Sequence, residues 1–278
     1  MAITAQDVNK LRQLTGAGMM DCKKALTEAE GDFDKAIEIL RKAGQKVAAK
    51  RADNTVSEGV VLVNISEDGT NGKLVALACE TEPVANVGEF KALAQAILDE
   101  AVAGNHESIA SLLAAPLAEG GTIAEAMVEL TGKLGEKLEI VGYENLSGDK
   151  VVPYIHSNGK LGVLVVFEGV GETDVTEIGK DIAMQIAAMK PVALDKDEVD
   201  AATVEREIEI GKEQARAEGK PEAMLEKIAQ GKLQKFYKEN TLLNQEFVKD
   251  SSITIRQLVE RTSKSLSIKT FKRVGIGS

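Results

Sequence analysis

A pattern that occurs twice in this chain begins with Gly59-Val-Val-Leu-Val-Asn-Ile65, continues through a glycine-containing turn and ends with Lys73-Leu-Val-Ala-Leu-Ala-Cys79. The second copy has Val151-Val-Pro-Tyr-Ile155, another turn, and an apolar run from Lys160 to Phe167. Short runs rich in β-branched residues and separated by such turns are typical of β-hairpins. The sequence therefore predicts two antiparallel hairpins, and these decide the fold.

Each predicted hairpin continues in the same way. Gly72-Lys73-Leu74 recurs as Gly159-Lys160-Leu161, and an amphipathic run follows each hairpin, from Phe90 to Leu98 in the first copy and from Ile178 to Ala187 in the second. Apolar residues at spacings of three and four predict a helix in both places. We interpret the two copies as an internal repeat of one sheet-and-helix unit.

Both copies are predicted to close with a further helix and a third strand. Thr122-Ile123 matches Thr254-Ile255 at the start of that helix, and the third strand is predicted at 138–143 and at 268–274. The second copy is the longer one. It therefore contains an insertion between about Asp195 and Asp250.

The insertion has the pattern of two helices. Residues 197–218 and 222–238 are helical in composition, and Gly219-Lys220-Pro221 makes a turn between them. Two antiparallel helices that project from a core form a coiled-coil hairpin. The apolar seam of this hairpin is narrow and needs a mate. The pattern leaves three mates open, namely the other helix of the pair, a second protomer, or a target protein.

The first 45 residues predict three short helices. A capping box begins at Thr4, where side chains satisfy amide groups that a helix start leaves free. Val8, Leu11 and Leu14 are predicted to form the apolar face of this first helix. The charged segment 45–57 predicts a helical extension that ends in a linker.

These elements together predict an α+β protein with four parts. Residues 1–52 form a three-helix domain that looks like a ubiquitin-associated fold. Residues 56–145, and residues 146–196 with 239–278, form the two halves of a duplicated core of antiparallel sheets and helices. Residues 197–238 form the inserted coiled-coil hairpin. Such a shape offers several separate surfaces to one large partner.

The charge of the chain argues against nucleic acid and anionic membranes as partners. The 278 residues have a formal net charge of −10, and no basic stripe offsets it. No apolar run of about 18 residues predicts a membrane span, and the first residues lack the pattern of a secretory signal. Cys22 and Cys79 lie outside any CxxC pattern, which favours reduced thiols and a cytoplasmic location.

The sequence lacks the motifs of an enzyme. It contains no GxSxG, HExxH or GxxxxGK[ST] motif. Its two histidines, His106 and His156, have no further ligands at metal-binding spacing, and His106 is expected to be solvated. The sequence therefore predicts a binding protein with no cofactor and no metal rather than an enzyme.

Several segments resemble one known family. The run Thr15-Gly-Ala-Gly-Met-Met-Asp-Cys-Lys-Lys-Ala-Leu26 is similar to the N-terminal signature of the elongation factor Ts family. Glu80-Thr-Glu-Pro-Val-Ala85 and Ile182-Ala-Met-Gln-Ile-Ala-Ala188 resemble two further blocks of that family, and Gly231 to Phe236 resembles a fourth. The resemblance covers almost the whole chain in the family's order.

The resemblance implies a function in translation elongation. Family members bind elongation factor Tu and disturb the Mg²⁺ and phosphate site of its bound GDP, so that GDP leaves and GTP can bind. The implied partner-contact residues are Arg12, Met19, Met20, Lys23 and His156. The segment implied to displace Mg²⁺ in the partner consists of Thr81, Glu82, Pro83 and Val84.

The sequence departs from the family at Glu82-Pro83, where the family has Asp-Phe. A proline offers less apolar area than a phenyl ring, fixes its own φ and has no N–H. We hypothesise a weaker wedge in the partner's Mg²⁺ site, and the other interpretation is that Pro83 merely begins the next helix.

A homodimer and a heterotetramer with elongation factor Tu both stay open. The alternative functions are a scaffold that binds the partner without exchange and an enzyme that uses acidic residues.

Overall fold

The computed structural model describes residues 3–118 and 120–277. Met1, Ala2, Glu119 and Ser278, which fall within the predicted parts 1–52, 56–145 and 239–278, lie outside the described residues. Within the described ranges, eleven α-helices accompany three antiparallel sheets. The predicted α+β fold class is confirmed.

Three helices form a small unit that we call the head. They are α1 (Ala5–Thr15), α2 (Met19–Glu28) and α3 (Phe33–Lys50). The predicted capping box is present, since the Asp7 amide donates to Thr4 Oγ1 over 3.2 Å and the Thr4 amide donates back to the Asp7 carboxylate over 2.9 Å. Leu11, Cys22 and Leu26 are fully buried between the helices.

The prediction that Leu14 faces inward is wrong. Leu14 is 63% exposed, whereas Val8 and Leu11 are buried. The inward stripe of α1 continues at Thr15, whose hydroxyl donates to the Leu11 carbonyl over 2.8 Å. Leu14 precedes Thr15 by one residue and therefore points about 100° away from the stripe.

The rest of the chain adds eight strands and eight helices within the described residues. The strands are β1 (Glu58–Ile65), β2 (Asn71–Cys79), β3 (Leu138–Ser147), β4 (Lys150–Ile155), β5 (Leu161–Glu168), β6 (Glu246–Phe247), β7 (Asp250–Thr254) and β8 (Ser267–Gly275). The helices are α4 (Glu82–Ala85), α5 (Gly88–Ala103), α6 (Ile109–Leu113), α7 (Ile123–Leu134), α8 (Thr176–Met189), α9 (Ala201–Ala217), α10 (Glu222–Asn240) and α11 (Ile255–Thr262).

Two three-stranded sheets pack face to face at the centre of the molecule. The first has the order β1-β2-β3 and the second β4-β5-β8, all antiparallel. Leu74 and Ala76 of β2 meet Leu164 and Val166 of β5 in the layer between the sheets. Gly162 permits the close approach, because a Cβ there would lie 2.6 Å from a Val61 methyl group.

Helices cover the outer face of each sheet. Val75 and Leu77 of β2 pack against α5 and α7, while Val163 and Val165 of β5 pack against α8 and α11. The central strands are therefore buried on both faces. Each fully buried leucine or valine contributes about 1.5–3 kcal/mol to folding relative to an exposed position.

Lys73 is a charged residue inside this core. Its side chain is buried, and Nζ donates to the carbonyls of Ala101, Val102 (3.4 Å) and Gly104 (2.9 Å) at the end of α5. A cation at this place satisfies carbonyls that a helix C-terminus leaves free. Burial lowers the pKa of Lys73. The matching Lys160 of the second sheet instead pairs with Glu58 over 3.0 Å.

We call the antiparallel pair α9 and α10 the arm. Gly211 lies directly against Ala229, and the ion pairs Lys212–Glu226 (2.9 Å) and Arg216–Glu222 (3.0 Å) join the two helices. Of the mates that the sequence left open, the structure shows the first, because the two helices of the arm pack on each other.

A buried amide group fastens the segment that follows the arm. Gln185 of α8 is fully buried, and its Nε2 donates to Gln245 Oε1 (3.1 Å) and to the Glu246 carbonyl (3.0 Å). Its Oε1 accepts from the Val248 amide over 2.9 Å. Every polar atom of this side chain is thus paired in the interior, as burial requires.

The head packs on the core at a close contact of α3 with α7. A Cβ at Gly132 would lie 2.7 Å from the Gly44 Cα.

We expect Gly132→Ala to lower the free energy of unfolding by about 1–3 kcal/mol, because one of the two helices must shift. Gly231→Ala is the matched control in an open stretch of α10 and should raise it by about 0.5–1 kcal/mol. Urea unfolding measures both values, and a stabilising Gly132→Ala would contradict the close contact.

Candidate protein-binding surface

The turn between α1 and α2 exposes apolar side chains. Gly16 ends α1 in the left-handed conformation (φ 65°), and Gly18 precedes α2. Beside this turn Leu14, Met19 and Met20 are 63%, 45% and 69% exposed. Both methionines thus point outward, and they form an adaptable apolar patch of the kind that suits a protein contact.

Two of the predicted contact residues add positive charge to this surface. Arg12 lies on α1 and Lys23 on α2, and both side chains are exposed. The apolar patch on the head is therefore accompanied by cations, although the whole chain is acidic. This combination favours a partner surface with both apolar and acidic groups.

The segment Thr81–Val84 leads from β2 into the one-turn helix α4. Thr81, Glu82 and Pro83 are exposed, while Val84 is half-buried against α5. Pro83 occupies the first turn of α4, where an N–H would have no partner within the helix. Pro83 therefore does begin a helix, and its ring remains exposed at the surface.

The carboxylate of Glu80 fastens the start of this segment. Arg51 Nη1 donates to both oxygens over 2.9 Å, Asn54 Nδ2 donates over 3.0 Å and the Lys137 amide over 2.6 Å. Burial acts to raise the pKa of Glu80. The hydrogen bonds from Lys137, Asn54 and Arg51 outweigh burial and hold the pKa below its ordinary value of 4.5.

A second carboxylate holds the next residue. The amide and the hydroxyl of Thr81 donate to Glu136 over 3.0 and 2.6 Å. Glu136 and Lys137 form the connection between α7 and β3. Sequence reasoning gave no role to Arg51, Glu80 or Glu136, and the one signal available was the position of Glu80 at the start of a family-like block.

His156 lies in the turn between β4 and β5. Its side chain is exposed, and Nδ1 lies 2.9 Å from the Tyr154 hydroxyl. The expectation that His106 is solvated is wrong, because its side chain is largely buried and Nε2 lies 3.2 Å from Glu100. His106 follows the end of α5 and packs back against that helix.

The head and the Thr81–Val84 segment lie at the same end of the first sheet. Gly16 packs against the side chains of Lys133 and Glu89. Lys133 is in the last turn of α7 and Glu89 in the first turn of α5. The turn that carries the exposed methionines therefore sits beside the helix that follows Val84.

The turn of His156 lies near the same end. Lys160 Nζ is 3.0 Å from Glu58, and Glu58 pairs with Cys79, the residue before Glu80. The Gly159 carbonyl accepts from the Val61 amide of β1 over 2.8 Å. The predicted contact residues, although far apart in sequence, are thus brought together at one end of the molecule.

Two other features were looked for in the described ranges 3–118 and 120–277. No group of three His, Cys, Asp or Glu side chains is placed there to hold a metal ion. No helix in that part of the chain has the length and apolar character needed to cross a membrane.

Comparison with known proteins gives one result. A model of the family described as elongation factor TS matches residues 80–278. The chain is 64% identical over 274 residues to elongation factor Ts of Cytophaga hutchinsonii, covering 99% of each chain. It is 54% identical over 278 residues to that of Amoebophilus asiaticus, covering all of both, and 50% identical over 273 residues to that of Porphyromonas gingivalis, covering 98% of each.

These matches first define the class, which is that of the translation elongation factors of protein biosynthesis. Within that class, the chain belongs to the elongation factor Ts family. The resemblance seen in the sequence motifs is thereby confirmed.

The lowered pKa of Glu80 predicts a pH dependence. A carboxylate whose folded-state pKa lies below its unfolded value stabilises the fold above the unfolded pKa, and this stabilisation is lost as the pH falls through the folded-state pKa. Glu80→Gln should therefore lower the free energy of unfolding by about 1–3 kcal/mol at pH 7. The difference in this free energy between variant and wild type should shrink as the pH falls below 4.5. Urea unfolding over a pH series measures it, and a difference of equal size at pH 7 and in acid would contradict an ionic contribution.

Proposed function

We propose that this chain is a guanine-nucleotide exchange factor for elongation factor Tu. It promotes GDP release by disturbing the Mg²⁺ and phosphate site of the partner, so that GTP can bind during translation elongation. Family membership supports the proposal. The observation that carries it is that the implied contact residues are exposed at one end of the core.

The four parts predicted from the sequence then have separate tasks. Residues 1–52 grip the partner through Arg12, Met19, Met20 and Lys23. Residues 56–145 present the segment Thr81–Val84 to the Mg²⁺ site. Residues 146–196 and 239–278 bring His156 to a second contact, and the arm at 197–238 projects from this half.

Exchange of this kind requires no covalent chemistry. Phosphates and a metal ion hold the nucleotide in the partner, and the factor needs only to bind more tightly to the partner in which that site is distorted. It shifts the equilibrium by no more than this difference in affinity. The exchange factor lowers the partner's affinity for nucleotide, and bound nucleotide lowers the partner's affinity for the exchange factor by the same ratio. The chain therefore acts as a binding protein, without a cofactor, rather than as an enzyme.

The direct test is release of a fluorescent GDP analogue from elongation factor Tu at fixed Mg²⁺. Wild type should accelerate release strongly, and Met20→Ala should raise the half-saturating concentration about tenfold, as loss of an apolar anchor does. Val102→Ala is the control, since Val102 is also exposed but lies at the far end of α5. Binding without acceleration would support the scaffold alternative. An equal effect of both variants would argue against the head contact.

Pro83→Phe tests the departure from the family pattern. A phenyl ring at this exposed position offers more apolar area to the partner than proline does. Phenylalanine adds a backbone N–H at this position. Because residue 83 lies in the first turn of α4, where an N–H needs no partner within the helix, the change should leave the fold intact. We expect a higher maximal rate of GDP release with an unchanged melting temperature. An unchanged or lower rate would count against a wedge at this position.

A further inference from the structure

Glu80 is too well covered to serve as a contact residue itself. Its side chain is 17% exposed, and each carboxylate oxygen already accepts two hydrogen bonds. It directly precedes the segment Thr81–Val84, in which Thr81, Glu82 and Pro83 are exposed. A carboxylate with all its bonds made inside the chain acts on a partner only through what it holds in place.

We propose that Glu80 is a positioning residue, which fixes the segment Thr81–Val84 relative to both the head and the core. This inference rests on the proposed exchange function. According to this proposal, Glu80 affects the maximal rate at which the partner releases GDP. The head determines the affinity for the partner.

The bond to the head runs through Arg51. This residue directly follows Lys50, the last residue of α3, and α3 is the longest helix of the head. Both carboxylate oxygens of Glu80 accept from the same guanidinium nitrogen, and Asn54 of the linker adds a second donor and a third hydrogen bond. Movement of the head at this end of α3 would therefore pull directly on the start of the exposed segment.

The bond to the core runs through the connection of α7 and β3. The Lys137 amide donates to Glu80, while the amide and hydroxyl of Thr81 donate to Glu136. Lys137 Nζ also donates to the Asn54 carbonyl over 3.2 Å, which closes the group. Residues 80 and 81 are thus held from two sides, while Glu82 and Pro83 remain exposed.

A segment that is already held in its binding geometry loses little conformational freedom when it meets a partner. If Glu80 no longer holds it, the segment must be ordered at the moment when the Mg²⁺ site is disturbed. The maximal rate of GDP release then falls, while the first contact, made by the head, keeps its strength.

Glu80→Gln tests the proposal with little change of shape. One oxygen becomes an NH₂ group, so that a donor faces donors. We expect the maximal rate of GDP release from elongation factor Tu to fall about tenfold, the size expected for loss of hydrogen bonds to a charge, with the half-saturating concentration within about twofold of wild type. The control is Glu144→Gln on β3. The Glu144 carboxylate is 25% exposed and faces Lys272. In the strand register this residue lies opposite Leu74, and so it is far along β2 from Cys79 and Glu80. Glu144→Gln should leave both parameters unchanged.

Hydrogen exchange on the free chain gives a readout that does not depend on exchange activity. The amides of residues 81–86 other than Pro83 should exchange faster in Glu80→Gln, whereas those of β2 should keep their protection. Arg51→Met, which removes the donor at a more exposed position, should have the same local effect. Because Arg51 and Glu80 act as a pair, the double variant should be no worse than Glu80→Gln alone.

The outcomes separate the two proposals. Wild type that leaves GDP release unchanged would sink the exchange function, and hydrogen exchange would still test the positioning role. If wild type is active and Glu80→Gln matches it in both maximal rate and local protection, the positioning role is overturned. A variant that raises only the half-saturating concentration would also overturn it, because Glu80 would then act in binding.

Discussion

The face-to-face contact of the two three-stranded sheets is the constraint on which the rest of the structure depends. β2 and β5 are covered on one face by each other's sheet and on the other face by helices. Neither sheet can slide without exposing residues such as Leu74 or Leu164, which are fully buried. This packing fixes where the strands end, and it therefore also fixes the positions of the turns and loops that connect them.

Polar contacts then decide which connections are held and which surfaces remain free. Lys160 joins the second hairpin to Glu58 of the first sheet, and Glu80 joins the end of β2 to the head. Isolated surface ion pairs contribute little, but a carboxylate with four hydrogen bonds is far more restrictive. The result is a hydrogen-bonded frame that presents Met19, Met20 and Pro83 to solvent. This arrangement suits the proposed exchange function, in which the partner is contacted at several points at once.

Sequence reasoning predicted the elements whose signal is local. Hairpins, amphipathic helices and the capping box at Thr4 depend on neighbouring residues, and they appear where the patterns place them. The short helix α6 and the small β6–β7 hairpin gave too little periodicity to be found, whereas a helix start at Pro83 was one of two interpretations that the sequence left open. Leu14 was misplaced because α1 continues its inward stripe at Thr15. The contact of Arg51 with Glu80 spans 29 residues and has no spacing signature, so only the folded chain could show it.

The proposed function requires that one end of the molecule carries all the proposed contact segments together. Hydrogen exchange of this chain, alone and bound to nucleotide-free elongation factor Tu, tests it most directly. We expect amides of the α1–α2 turn, of residues 81–86 other than Pro83 and of the turn at 156–159 to gain protection in the same complex. Protection confined to one of these segments, or to the far end of α5 and the tip of the arm, would contradict it.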